Sequence, residues 1–378
     1  MPHYKFSDLA YNITDKKMPD PGDEKTYIGL EHLDSGSLAV TRWGSEIELK
    51  GQKLVMKKGD VLFGRRNTYL RRAAISPHDG IFSAHGMIFR PKTEVIDPDY
   101  FPFFIASDYF MNAAIRISVG SLSPTVNWKT LKELEFDIPT LEQQRESAKI
   151  LNAANELKES YQALLLKTDE LVKSQFIEEI GTAENNPHNY EIIEIGKLCT
   201  VMNGFAFQSK KYVESGIKVI RITNVQKGKI VDNDPQYYPP EAFDTIKDYM
   251  LEEGDLLMSL TGNCGRVGLL PLDMCPAALN QRVACLRLDE TLINKKFMFA
   301  TLNMDNFEND VMLAASGTAQ KNMSTEWLKK YKVLIPPMEV QEQFADFVQQ
   351  SDKSKFELKQ AIEGVDLLIK SMIQQELN

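Results

Sequence analysis

The phrase IPTLEQQ at Ile138–Gln144 returns as IPPMEVQ at Ile335–Gln341, with the shared Ile, Pro, Glu and Gln each 197 positions later. Three further matches keep the same order. TYIGLEHLDSGSL (Thr26–Leu38) matches KVIRITNVQKGKI (Lys218–Ile230) at an offset of 192. KKGDVLF (Lys57–Phe63) matches EEGDLLM (Glu252–Met258) at 195, and the stretch Val119–Pro139 matches Ser316–Pro336 at 197. A drifting offset is what loop insertions produce. The period is too long for a solenoid unit, so each copy is a domain with an appendage.

Within a copy, short alternating runs such as KVIRITNV and RVACLRL, broken by Gly and Pro, predict a mixed α/β globule. The globules span 1–137 and 182–334. The appendages, 138–181 and 335–378, are almost free of Gly and Pro and predict long helices. From Ile150 the positions Ala154, Leu157, Tyr161, Leu164, Thr168, Leu171 and Gln175 step alternately by four and three. From Phe347 the positions Ser351, Ser354, Leu358, Ala361, Val365, Leu368 and Met372 step identically. That is heptad spacing. It nominates Leu157, Tyr161, Leu164 and Leu171 to pack against Leu358, Val365, Leu368 and Met372, with Leu151, Leu165, Val172, Phe176, Val348, Ile362 and Ile369 widening the stripes. The expected fold is α+β: two mixed α/β domains joined by two long antiparallel coiled-coil helices, with pseudo-two-fold symmetry. The competing arrangement folds each helix back on its own globule.

No apolar run approaches the ~20 residues of a membrane helix, and MPHYKFSDLAYNITDKK has no signal-peptide pattern, so a cytoplasmic protein is expected. Cys199, Cys264, Cys275 and Cys285 lack metal or disulfide spacing and are expected as buried free thiols. The net charge of −9 argues against a nucleic-acid partner until it is divided. Residues 139–181 hold five basic and eight acidic residues, and 336–378 hold four and eight, which leaves the globules near neutral. Lys57–Arg72 carries six basic residues against Asp60 alone.

Two similar but diverged globules held apart suit a bipartite target, and duplex DNA presents half-sites on one face every ~34–36 Å. The copies differ most where GRRNTYLRRAAI (Gly64–Ile75) faces SLTGNCGRVGLL (Ser259–Leu270). In the first copy the candidate DNA contacts are Arg65, Arg66, Asn67, Tyr69, Arg71 and Arg72, with His32, His85 and Ser121. In the second they are Arg221, Thr223, Asn224, Lys227, Thr261, Asn263, Arg266, Asn280, Gln281, Arg282, Thr318, Gln320 and Lys321. For the matched pairs at His32/Asn224 and His85/Asn280–Arg282, a side chain capping a turn competes with a base contact.

The doubled order of a Gly-Asp turn, a basic loop and a Gly-Ser/Thr loop leading to Ile-Pro resembles the specificity subunit of Type I restriction-modification enzymes over nearly the whole chain. Its residues here are Gly59-Asp60, Arg65-Arg66 and Gly120-Ser121, then Gly254-Asp255 and Gly317-Thr318. The resemblance implies two target recognition domains that each read half of a split, asymmetric site. It implies that the helices set the unread spacer and dock two methyltransferase subunits, with motor/endonuclease subunits in the larger complex. S-adenosylmethionine, ATP and Mg are then expected on the partners, with no cofactor, metal or catalytic residue in this chain. Asp97-Pro98-Asp99-Tyr100 only approximates an adenine methyltransferase motif, and Gly262–Gly268 lacks the Lys-Ser/Thr of a phosphate loop. Two other classes stay open: an interaction scaffold without DNA sequence specificity, and the specificity part of a fused restriction-methylation (Type IIG-like) enzyme.

Overall fold

The computed structural model describes residues 1–315 and 322–376, so Thr318, Gln320 and Lys321 lie outside the described residues. The chain divides into two compact units, Met1–Leu164 with Leu358–Asn378, and Leu165–Glu357.

Both Ile-Pro phrases stand where a strand hands over to a helix. The strand Glu135–Asp137 pairs antiparallel with His3–Lys5, and Lys332–Ile335 pairs with Glu191–Glu194, so the two ends of each globule are hydrogen-bonded together. The helices that follow, Leu141–Glu179 and Met338–Glu376, are 39 residues each, on the order of 60 Å long. Thr140 opens the first with a capping box: its Oγ1 accepts from Gln143 N while Gln143 Oε1 accepts from Thr140 N.

The Gln that ends each phrase explains why the phrase repeats. Gln144 is 1% exposed; its Oε1 accepts from Asp97 N at 2.7 Å and its Nε2 donates to Pro139 O at 2.8 Å. Gln341 does the same with Asn294 N and Pro336 O, both at 2.8 Å. One buried amide thus pins the first turn of each long helix to a loop of its globule and satisfies backbone groups that burial would otherwise orphan.

Each globule carries two four-stranded sheets. In the first unit, one runs Ala10–Ile13, Met87–Pro91, Val61–Phe63, Ala73–Ile75, all antiparallel. The other runs Lys16–Lys17, Lys53–Met56, Gly80–Phe82, Tyr27–Ile28, its last pair parallel. The second unit repeats the first sheet as Cys199–Asn203, Val283–Leu288, Leu256–Ser259, Val267–Leu269. Its other sheet repeats three strands, again with one parallel pair, and changes only the edge strand, to Tyr237–Tyr238. The framework was duplicated and its margins changed.

Each unit also contains the N-terminal half of one long helix and the C-terminal half of the other. In the first, Ala148 and Leu151 share a core with Phe6, Phe110, Phe136 and Ile373, while Ile369 and Met372 pack against it. In the second, Phe176 meets Phe344 at 5.5 Å between ring centroids, in a core that Val172, Phe347 and Val348 adjoin. Residue order along the two segments runs oppositely within each unit. The helices pack on each other as well as on the globules, and the arrangement with each helix on its own globule alone is excluded.

The seam departs from the heptad stripe read in the sequence. Tyr161, Leu358, Val365 and Met372 are half-buried, but Leu157, Leu164, Leu171 and Leu368 are 44%, 49%, 52% and 50% exposed. The inward positions are one residue further on: Lys158, Leu165, Val172 and Ile369. Lys158 is the cause in the first unit, because its buried Nζ reaches Asp366 at 2.6 Å and Gly36 O at 2.8 Å. In the second unit Lys355 pairs with Asp169 at 3.1 Å. Lys158 and Lys355 are matched positions of the two copies, as are Asp169 and Asp366, so each unit fixes its helix register with the same charged pair.

Candidate nucleic-acid interface

The interface starts from the Gly-Asp turn. Gly59 and Gly254 sit at φ +88° and +77°, where a residue with a Cβ is strained. The following Asp accepts from the amide three residues back, Lys57 N at 2.8 Å and Glu252 N at 2.9 Å. Asp60, almost fully buried, also takes a two-pronged bond from Arg90 at 2.8 and 2.9 Å. Asp255 takes the same from Arg287 at 3.2 and 3.1 Å. The charge of the turn is spent internally, so it does not neutralise the basic loop beyond it.

In the first unit that loop and the Gly-Ser loop form one surface. Asn67 N donates to Pro124 O at 2.7 Å, Val126 N to Arg65 O at 2.9 Å, and Arg66 Nη2 to Ser123 Oγ at 3.4 Å. Asn67 and Arg71 both adopt left-handed φ, at 55° and 50°, an uncommon conformation that clusters at functional sites. Arg65 Nε and Asn67 Oδ1 are buried without a hydrogen-bond partner, and such atoms call for a ligand or another explanation. Arg66, Tyr69, His85 and Ser121 are exposed; Arg65, Asn67 and Arg72 are half-buried.

Two of the sequence candidates in this unit are held by the protein itself. His32 Nδ1 accepts from Gly29 N at 3.0 Å, the turn-capping alternative. Arg71 donates to Asp108 at 2.7 Å and to Asn112, while Asp108 also receives Lys370 from the second long helix at 2.6 Å. Lys370 first, and then Arg71, hold the Asp108 carboxyl below the usual carboxylate range.

The second unit repeats the join between loops: Thr261 bridges Asn322, and Met323 N donates to Leu260 O at 2.8 Å. Thr261 Oγ1 and Arg221 Nε are buried without a partner. Thr223, Asn263, Gln281 and Arg282 are exposed. Five candidates are corrected or constrained. Asn224, 2% exposed, caps its own turn by accepting from Arg221 N at 2.9 Å and donating to Val231 O at 2.9 Å. Asn280 Oδ1 accepts from Arg282 N at 3.1 Å. Arg221 pairs with Asp234 at 2.9 Å, and Arg266 donates to Gln226 at 2.7 Å. Lys227 is exposed but pairs with Glu308 and approaches Asp305 at 3.7 Å. Asp305 in turn receives Lys173 of the first long helix at 2.6 Å.

These contacts expose a device that residue type alone did not reveal. Lys370–Asp108 and Lys173–Asp305 are the same pair, 197 positions apart, and each ties a long helix to an acid that also holds a cation of the candidate interface. An aligned comparison of the two copies position by position carries the signal; a scan for basic loops does not. Among the described residues, no group of three or more His, Cys, Asp or Glu is placed to hold a metal ion, and no helix is long and apolar enough to cross a membrane. No disulfide joins the four cysteines; Cys285 is buried and the other three half-buried.

The model of a family described as the Type I restriction modification DNA specificity domain matches residues 12–165 and 187–364, once on each copy. The chain belongs to this family. The specificity subunit is similar along 92% of its length to the Type I restriction enzyme MjaVIII specificity subunit of Methanocaldococcus jannaschii, at 22% identity and covering 85% of that protein. It is 27% identical to the Type I restriction enzyme EcoBI specificity subunit of Escherichia coli over 44% of its own length and 34% of that relative's. Its fold resembles a chain solved in work on complex assembly and conformational transition of the type I R-M system, with TM-score 0.61, 16% identity and coverage of 100% and 97%. The Type I restriction-modification S subunit from M. genitalium gives TM-score 0.58 at 12% identity, covering 100% and 96%.

Proposed function

We propose that this specificity subunit is a non-catalytic, cytoplasmic reader of duplex DNA, each globule recognising one half of a split, asymmetric site. The observation that carries the reading is a duplicated framework with unlike loops at the same place. Matching sheet cores, Asp–Arg turns and Gln pins support an Arg-rich turn in one unit and a Thr/Asn/Arg loop in the other. The long helices set the unread spacer and dock two methyltransferase subunits, which carry S-adenosylmethionine. Motor/endonuclease subunits bring ATP and Mg to the larger complex.

Binding through arginines and lysines to phosphates releases counterions, so affinity falls steeply with salt, the log–log slope changing by about 0.9 for each phosphate contact. Replacing Arg65 and Arg66 together by Ala is expected to lower that slope by about 1–2 units and to relax sequence preference in one half-site only. The measurement is salt-dependent binding of the assembled complex, paired with mapping of methylated adenines in cells. Equal relaxation of both half-sites overturns the division of labour between globules.

A further inference from the structure

The Gly-Ser loop of the first unit ends in an apolar tip. Val119 and Thr125 each donate an amide to the other's carbonyl, at 3.0 and 2.9 Å. Gly120, at φ +115°, turns the backbone between them. Leu122 at the tip is 95% exposed and Val119 64%; on the adjoining basic turn Tyr69 is 56% exposed. Single exposed leucines are ordinary. This one stands on a loop fastened to Arg65–Asn67 by two backbone hydrogen bonds and by the Arg66 guanidinium on Ser123. The matched position of the second copy is Ala319 by sequence.

We propose that Leu122 is a specificity-determining residue of the first globule, packing against the 5-methyl group of a thymine in the half-site which that globule reads. The inference rests on the DNA-reading function proposed above. Arginines that draw the loop onto phosphates deliver its tip to the groove. There the only apolar feature of base-pair edges is the thymine methyl, displayed in the major groove. Driving the leucine between base pairs instead would require unstacking them. Because the second copy has alanine, the contact belongs to one half-site.

The test uses the full chain assembled with its methyltransferase subunits and a duplex that the wild-type complex selects from a random pool. Each thymine is replaced in turn by deoxyuracil, which removes the methyl and keeps every hydrogen-bonding group. At one position in one half-site, the replacement is expected to weaken wild-type binding about four-fold, the factor for withdrawing one buried methyl group. Leu122→Ala is expected to bind the unsubstituted duplex more weakly and to be indifferent to that replacement, while Leu122→Met keeps the sensitivity. Four results overturn the proposal: a wild-type complex indifferent to uracil throughout, an Ala variant as sensitive as wild type, a selected half-site without thymine, or a Leu122-dependent rise in 2-aminopurine fluorescence in place of methyl sensitivity. A pool from which no sequence is enriched overturns the DNA-reading function itself, a separate result.

Discussion

A buried amide such as Gln144 earns its place through the backbone it touches. Removing it leaves Asp97 N–H buried without an acceptor and frees Pro139 O, so Gln144→Ala is expected to cost about 2 kcal/mol. The loss is expected to be local, read as faster amide exchange at Asp97–Tyr100 while strand Val61–Phe63 stays protected. Neither Gln is conspicuous in a single copy; only their recurrence marks them. The converse error has the same root. His32, Asn224 and Arg71 are of the right type for contacting bases, but a polar side chain beside a turn has a nearer partner in its own backbone or a neighbouring acid. Sequence poses that competition, as at His32 and Asn224, and does not decide it. The paired acid Asp108 adds a pH signature. Its folded carboxyl titrates below the unfolded value, so its pair with Lys370 stabilises above about pH 4 and is lost as pH falls further. Both partners are about half exposed, so Lys370→Met is expected to lower stability by under about 1 kcal/mol near neutral pH. That difference from wild type should vanish in denaturant titrations near pH 3.

At the scale of the helix, the breaker-free runs after each Ile-Pro phrase predicted two long helices, and their periodicity favoured pairing over packing of each on its own globule. Phase was harder. A seam of 3.5-residue period over adjacent apolar positions such as Leu157, Leu164 and Leu165 admits two settings, and the inward-facing Lys158 argues for the wrong one when judged by hydrophobicity. Its chemistry makes an asymmetric prediction. Lys158→Met replaces a buried charge by an apolar chain of similar length and is expected to change stability by less than about 1 kcal/mol. Asp366→Ala leaves the buried ammonium without its counter-ion and is expected to cost about 3 kcal/mol. Urea unfolding of the two variants distinguishes them, and equal costs would mean that the pair does not decide the register.

For the molecule as a whole, the duplication was legible from start to finish, since three matched stretches in order require two like globules and two like helices. What was hidden is how the copies share their parts: the first compact unit contains residues 358–378 and the second contains residues 165–179. On the proposed function, inserting one heptad after Leu151 is expected to change the spacer between half-sites and leave both half-site sequences intact, measured by methylated-adenine mapping. An unaltered spacer would remove the helices from that role.

The sharing also orders events at the ribosome. Ile373 lies in the same core as Phe6, Phe110 and Leu151, yet more than two hundred residues are synthesised between Leu151 and the strip that covers it. The globule made first therefore waits, with an apolar flank open to water, until the second has emerged. A nascent chain stalled halfway shows water a strip of core that the complete chain covers.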